Sequence, residues 1–105
     1  KPADPKALAG EIEHQDQIES ALDQIKTNVK QSEEAFRGHE EHVKELNDII
    51  KSEADGRAKD ELIKVRDNAK KHAKDIEEHI NSGKKLIEQK EAALEKIEAK
   101  VKGTN

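Results

Sequence analysis

Two stretches of this chain place an apolar residue at alternating steps of four and three, and few folds accept that spacing. The first runs through Ile18, Leu22, Ile25, Val29, Ser32, Phe36, His39, Val43, Leu46 and Ile50, with only Ser32 and His39 breaking the apolar run. The second runs through Leu62, Arg66, Ala69, Ala73, Ile76, Ile80, Gly83, Ile87, Lys90, Leu94, Ile97 and Val101, with Arg66, Gly83 and Lys90 as exceptions. Such spacing is the a/d pattern of a coiled-coil seam, in which one apolar stripe per helix packs against a partner stripe.

The phase is lost between the stretches. Ile50 to Leu62 is a step of twelve residues, where a continuous heptad register needs ten or fourteen. The gap holds Ser52-Glu53-Ala54-Asp55-Gly56, and glycine ends helices because it reaches left-handed dihedrals without a side-chain clash. A fold-back about Gly56 pairs residues whose numbers add to about 112. Ile18 then meets Leu94, Ile25 meets Ile87, Phe36 meets Ile76, Val43 meets Ala69, and Ile50 meets Leu62. Both stripes coincide under that one reversal.

The expected fold is therefore all-α: a long antiparallel helical hairpin, or coiled coil, with its turn near Gly56. Residues 1–105 form one domain, with arm one over 5–54, the turn over 55–57 and arm two over 58–102. Each arm is about 68–75 Å long at 1.5 Å per residue. The alternative is a compact monomeric bundle of three or four shorter helices, in which Gly38 and Gly83 also end helices. The register passes through both glycines undisturbed, which favours the hairpin. Lys1-Pro2-Ala3 reads as a frayed lead-in, Asp4 as an N-cap and Pro5 as the first helical residue. At the far end Lys100 and Lys102 suit the negative end of the helix dipole, and Lys102-Gly103-Thr104-Asn105 is expected to close the helix.

Composition narrows the function. Charged residues make up 42% of the chain and the only aromatic is Phe36, so the apolar side chains suffice for one stripe per helix and little more. A lone two-helix hairpin buries limited area, and association with a partner is the natural supplement. A net charge of -4 argues against nucleic acid, which wants a concentrated basic face. The basic spots at Lys70-Lys71-Lys74 and Lys84-Lys85 are interleaved with Asp75, Glu77 and Glu78, as on a solvated face. There is no cysteine, which excludes disulfide and thiolate chemistry. No apolar run is long enough to cross a membrane, and the narrow stripe without basic flanks is a poor fit to a membrane surface. No signal peptide is visible. A chain that starts at Lys1 and lacks methionine is expected to be a processed product or an excised piece, and its compartment is not encoded.

The positions beside the seam differ between the two flanks. The e flank carries Glu19, Lys26, Glu33, Glu40 and Asn47 facing Ile63, Lys70, Glu77, Lys84, Glu91 and Glu98, and should face water. The g flank carries Ala21, Asn28, Ala35, His42 and Ile49 facing Ala93, Leu86, His79, His72 and Val65, with no full charge among them. That asymmetry suits packing on a second hairpin into a four-helix bundle. Ala21, Ala35, His42, Ile49, Val65, His72, His79, Leu86 and Ala93 are the expected interface, with the chain itself or another helical protein as partner.

Four histidines gather in this register. His42 faces His72, His79 faces Ala35, and His39 lies in the seam near Ala73, with Glu34, Glu41 and Asp75 close along the helices. Imidazole suits zinc or copper, and two-fold association would double the ligands. His39, His42, His72 and His79 are thus candidate metal ligands; the plainer reading is surface histidine, and a third is a pH switch. Glu11 and His14 alone have the Glu-x-x-His spacing of di-iron bundles. No phosphate loop or nucleophile constellation is visible, and none of the many carboxylates has an evident pocket. The sequence points to a non-enzymatic spacer, assembly or interaction module.

Overall fold

The computed structural model describes residues 4–103; the lead-in expected at 1–3 and the last residues of the closing segment, 104 and 105, lie outside the described residues. Two helices make up the fold, α1 (Pro5–Ser52) and α2 (Arg57–Gly103), joined by a short turn into a helical hairpin. Both run unbroken through the internal glycines at 10, 38 and 83. The alternative of three or four shorter helices is therefore overturned. A helical glycine away from its end costs only about 0.5–1 kcal/mol relative to alanine, too little to stop a helix whose apolar stripe continues on both sides.

Local chemistry sets the ends. Lys6 N donates to Asp4 Oδ1 at 3.1 Å and Leu8 N to the Asp4 carbonyl at 3.0 Å, so Asp4 caps α1 and Pro5 takes the first position, where a missing N–H leaves nothing unpaired. The expected arm-one end at 54 and turn at 55–57 need correction: α1 stops at Ser52 and α2 starts at Arg57. The Ser52 hydroxyl folds back onto the carbonyls of Ile49 and Asp48 at 3.1 and 3.4 Å, and Glu53 N donates to the Ile50 carbonyl at 3.2 Å. These bonds tighten and finish the last turn. Gly56, with a φ of +151°, does not finish α1 but opens α2, its carbonyl accepting from Asp60 N at 3.1 Å. The far helix includes Gly103, one residue beyond the expected end.

The chain divides into two compact units. One holds residues 30–81 and contains the turn; the other joins residues 1–29 to 82–105. In the turn unit the buried residues are Leu46, Ile50, Ala69, Ala73 and Ile80, and in the terminal unit Ile18, Leu22, Val29 and Ile97. Every one is an a or d residue. The other a and d residues between Ile18 and Val101 are half-buried. Burying a Leu, Ile or Val side chain contributes about 1.5–3 kcal/mol. Two of the five buried residues of the turn unit are alanines, so its core is the thinner.

Contacts between the helices follow one register within each unit. In the turn unit the Arg66 guanidinium donates to Asn47 Oδ1 at 3.2 Å, and the rings of His39 and His72 stack. In the terminal unit Lys100 Nζ lies 3.6 Å from Glu11 Oε1, a pair between an exposed lysine and a half-buried glutamate at the surface that contributes little. There too Gly83 packs on Val29: a Cβ at position 83 would stand 2.5 Å from Val29 Cγ2. Val29 is β-branched and stiff in a helix, so the seam at this point has room only for glycine.

The glycines give contrasting expectations in urea unfolding. Gly38→Ala, whose Cβ meets nothing within 4 Å, gains about 0.5–1 kcal/mol from propensity alone. Gly83→Ala has the same propensity gain and nonetheless destabilises, and in a Val29→Ala background the loss disappears. Gly56→Ala costs about 1–3 kcal/mol, because alanine is strained at that φ. Equal effects at 38 and 83 would contradict this packing.

Candidate functional site

The two flanks of the turn unit differ in burial as well as charge. On the e flank Glu33, Glu40, Lys70 and Glu77 are exposed, while Asn47 and Ile63 are half-buried. Asn47 is covered because Arg66, a seam residue too polar to stay in the stripe, reaches across to it. The same guanidinium holds Asp67 Oδ1 at 3.1–3.2 Å. Arg66 thus packs its stem in the seam and satisfies its head at the edge. Opposite Phe36, the small Ala73 leaves a groove of about 270 Å³, floored by Phe36, Val43 and Ala73 and rimmed by Glu40, Lys70, Lys74 and Glu77. A rim of full charges of both signs suits water better than an apolar partner.

The g flank of the turn unit holds no Asp, Glu, Lys or Arg. Ala35, His42, Ile49, Val65, His72 and His79 are all exposed. Among the described residues four large aliphatics are exposed: Ile12 at 45%, Ile49 at 47%, Val65 at 48% and Leu86 at 44%. Two of the four, Ile49 and Val65, are register neighbours on this one flank. In the terminal unit the aliphatics are divided: Leu86 lies on the g side with half-buried Ala21 and Ala93 and exposed Asn28, whereas Ile12 lies on the e side. The outward neighbours of the g row in the turn unit add Gly38, Ser52 and Asn68, small or uncharged, beside Glu45, Glu61 and Asp75.

Of the four candidate ligands, two are brought together. His39 and His72 stack with ring centroids 6.4 Å apart and planes at 28°. His39 is half-buried in the seam and His72 is exposed. The heptad spacing places His42 opposite His72, whereas in the structure it is His39, one turn earlier in α1, whose ring meets that of His72. Among the described residues no three of His, Cys, Asp and Glu form a group able to hold a metal ion. The Arg66–Asn47 bond and the histidine stack are the features that spacing alone misses, because both depend on how far a side chain reaches sideways from its row.

No protein-family model matches this chain, and neither a curated protein nor a solved structure matches it. No helix among the described residues is long and apolar enough to cross a membrane.

His39 occupies a d position without an apolar side chain. His39→Leu is expected to raise the unfolding free energy by about 0.5–2 kcal/mol through added apolar burial, read as a higher urea midpoint at unchanged m-value. A lower midpoint would mean that the imidazole contributes packing that leucine cannot replace.

Proposed function

We propose that this chain is a non-enzymatic assembly module whose turn unit associates with a second copy through the g flank, forming a four-helix bundle. The observation that carries the reading is the pairing of Ile49 and Val65, nearly half exposed, on a face without a full charge. Covering such a face with a second apolar face removes it from water at about 25 cal/mol per Å². A face of one sign would repel its own copy, and a face of mixed charges would have to be desolvated. The row itself meets neither obstacle, and the acidic Glu45, Glu61 and Asp75 stand one row further out and are exposed, which favours a two-fold, self-complementary contact centred on the row.

Two further observations support a second copy as the occupant. The core of the turn unit, with Ala69 and Ala73 among its buried residues, leaves stability to be gained by adding another layer. Gly38 stands at the edge of the same face with open space around it. Nothing inside the chain requires glycine there, and a glycine on a helix face lets a neighbouring helix approach closely.

Sedimentation equilibrium tests the reading. The chain is expected to be dimeric at high micromolar concentration, and Ile49→Asp/Val65→Asp to be monomeric with its helical circular dichroism retained. Glu40→Ala/Lys70→Ala, on the opposite flank, should remain dimeric. A strict monomer that is fully helical at that concentration would overturn the proposal, as would a dimer unaffected by the aspartates.

A further inference from the structure

The stacked histidines make a site of a different kind. We propose that His39 and His72 form a two-imidazole clamp for a divalent transition-metal ion, tying α1 to α2 within the turn unit. The site lies within a single chain and needs no second copy.

The spacing is the first support. With a metal–nitrogen distance of about 2.0–2.1 Å, each ring centre stands about 3.2 Å from a bound ion, so two ligating rings span about 5–6.4 Å according to the angle at the metal. The observed 6.4 Å lies at the wide end of that span. The rings now stand nearly face to face at 28°, and must turn edge-on to aim a nitrogen at a common point. The imidazole χ2 torsion is broad, and His72 is exposed while His39 is half-buried, so most of the turn falls to His72.

Availability is the second support. Among the described residues neither ring is engaged in a hydrogen bond or an ion pair, and the stack is the one interaction each makes. Their nitrogens are therefore free to ligate. The third support is the price in packing: His39 holds a seam position where leucine or isoleucine would bury more apolar area.

Two imidazoles, with water in the other positions, define the ligand class. Neutral nitrogen donors select copper, nickel and zinc over magnesium and calcium, and the usual order of affinities places Cu²⁺ ahead of Ni²⁺ and Zn²⁺. Because the two ligands come from different helices, an ion that holds both binds the folded hairpin better than the open chain and must stabilise it.

Calorimetric titration with Cu²⁺ and Zn²⁺, with Mg²⁺ as control, tests the clamp, together with thermal unfolding in the same ions. The expected result is one Cu²⁺ per chain at micromolar Kd, weaker Zn²⁺, no Mg²⁺, and a rise in Tm of at least about 4 °C with saturating Cu²⁺. His39→Gln and His72→Gln should each weaken binding at least tenfold and abolish the Tm rise, while His14→Gln, His42→Gln and His79→Gln stay within twofold. Absence of Cu²⁺ binding overturns the proposal. So does binding that survives both His39→Gln and His72→Gln, or that is lost equally with His42→Gln or His79→Gln.

Discussion

Everything in this protein rests on one row of apolar side chains in each helix being buried against the other. Each helix has a single continuous apolar stripe, and only isolated aliphatics such as Ile49 and Val65 lie beside it. All nine buried residues belong to those rows, and no buried polar or charged residue occurs among the described ones. Once the two rows meet, the heptad geometry assigns every other residue to a flank or to the outer surface. A slip of one residue would carry charges into the seam, so the register is held by desolvation cost as much as by attraction.

The turn and the seam exceptions are adjustments to that constraint. Ser52, Glu53 and Gly56 divide the reversal between them, with the first two finishing one helix and the glycine starting the next. Gly83 yields its side chain so that Val29 can be buried. Arg66 keeps its charge at the edge by reaching Asn47 and Asp67. Gly83 and Arg66 each have a local answer, and among the described residues no buried side-chain polar atom lacks a partner. The two flanks of the turn unit were left with different characters, one carrying charges of both signs and the other none.

How far the sequence reveals this depends on the length scale of the interaction. The seam was readable because the steps of four and three repeat over long stretches, and burial of Ile18, Leu22, Leu46 or Ile97 follows from position alone. The reversal was readable because the register breaks once, at the segment that ends in glycine. The detail of the turn was not, since whether Gly56 ends one helix or begins another depends on which carbonyl its neighbours find. The contact of His39 with His72 was likewise hidden, because row positions do not say how a ring leans. Association is a further step removed, because it depends on the free energy of a second molecule meeting the exposed Ile49 and Val65.

The central claim is that copies of this chain meet on the uncharged flank of the turn unit and not on the charged one. The chain has no cysteine, so a single introduced cysteine can carry one nitroxide label at a chosen place. Asn68 borders the uncharged flank and Lys70 lies on the charged one, and both are exposed. The account predicts that the electron paramagnetic resonance spectrum of a label at Asn68→Cys broadens as protein concentration rises, while that of a label at Lys70→Cys stays sharp. Immobilisation at position 70 with none at 68, or two spectra unchanged up to high micromolar concentration, would contradict it.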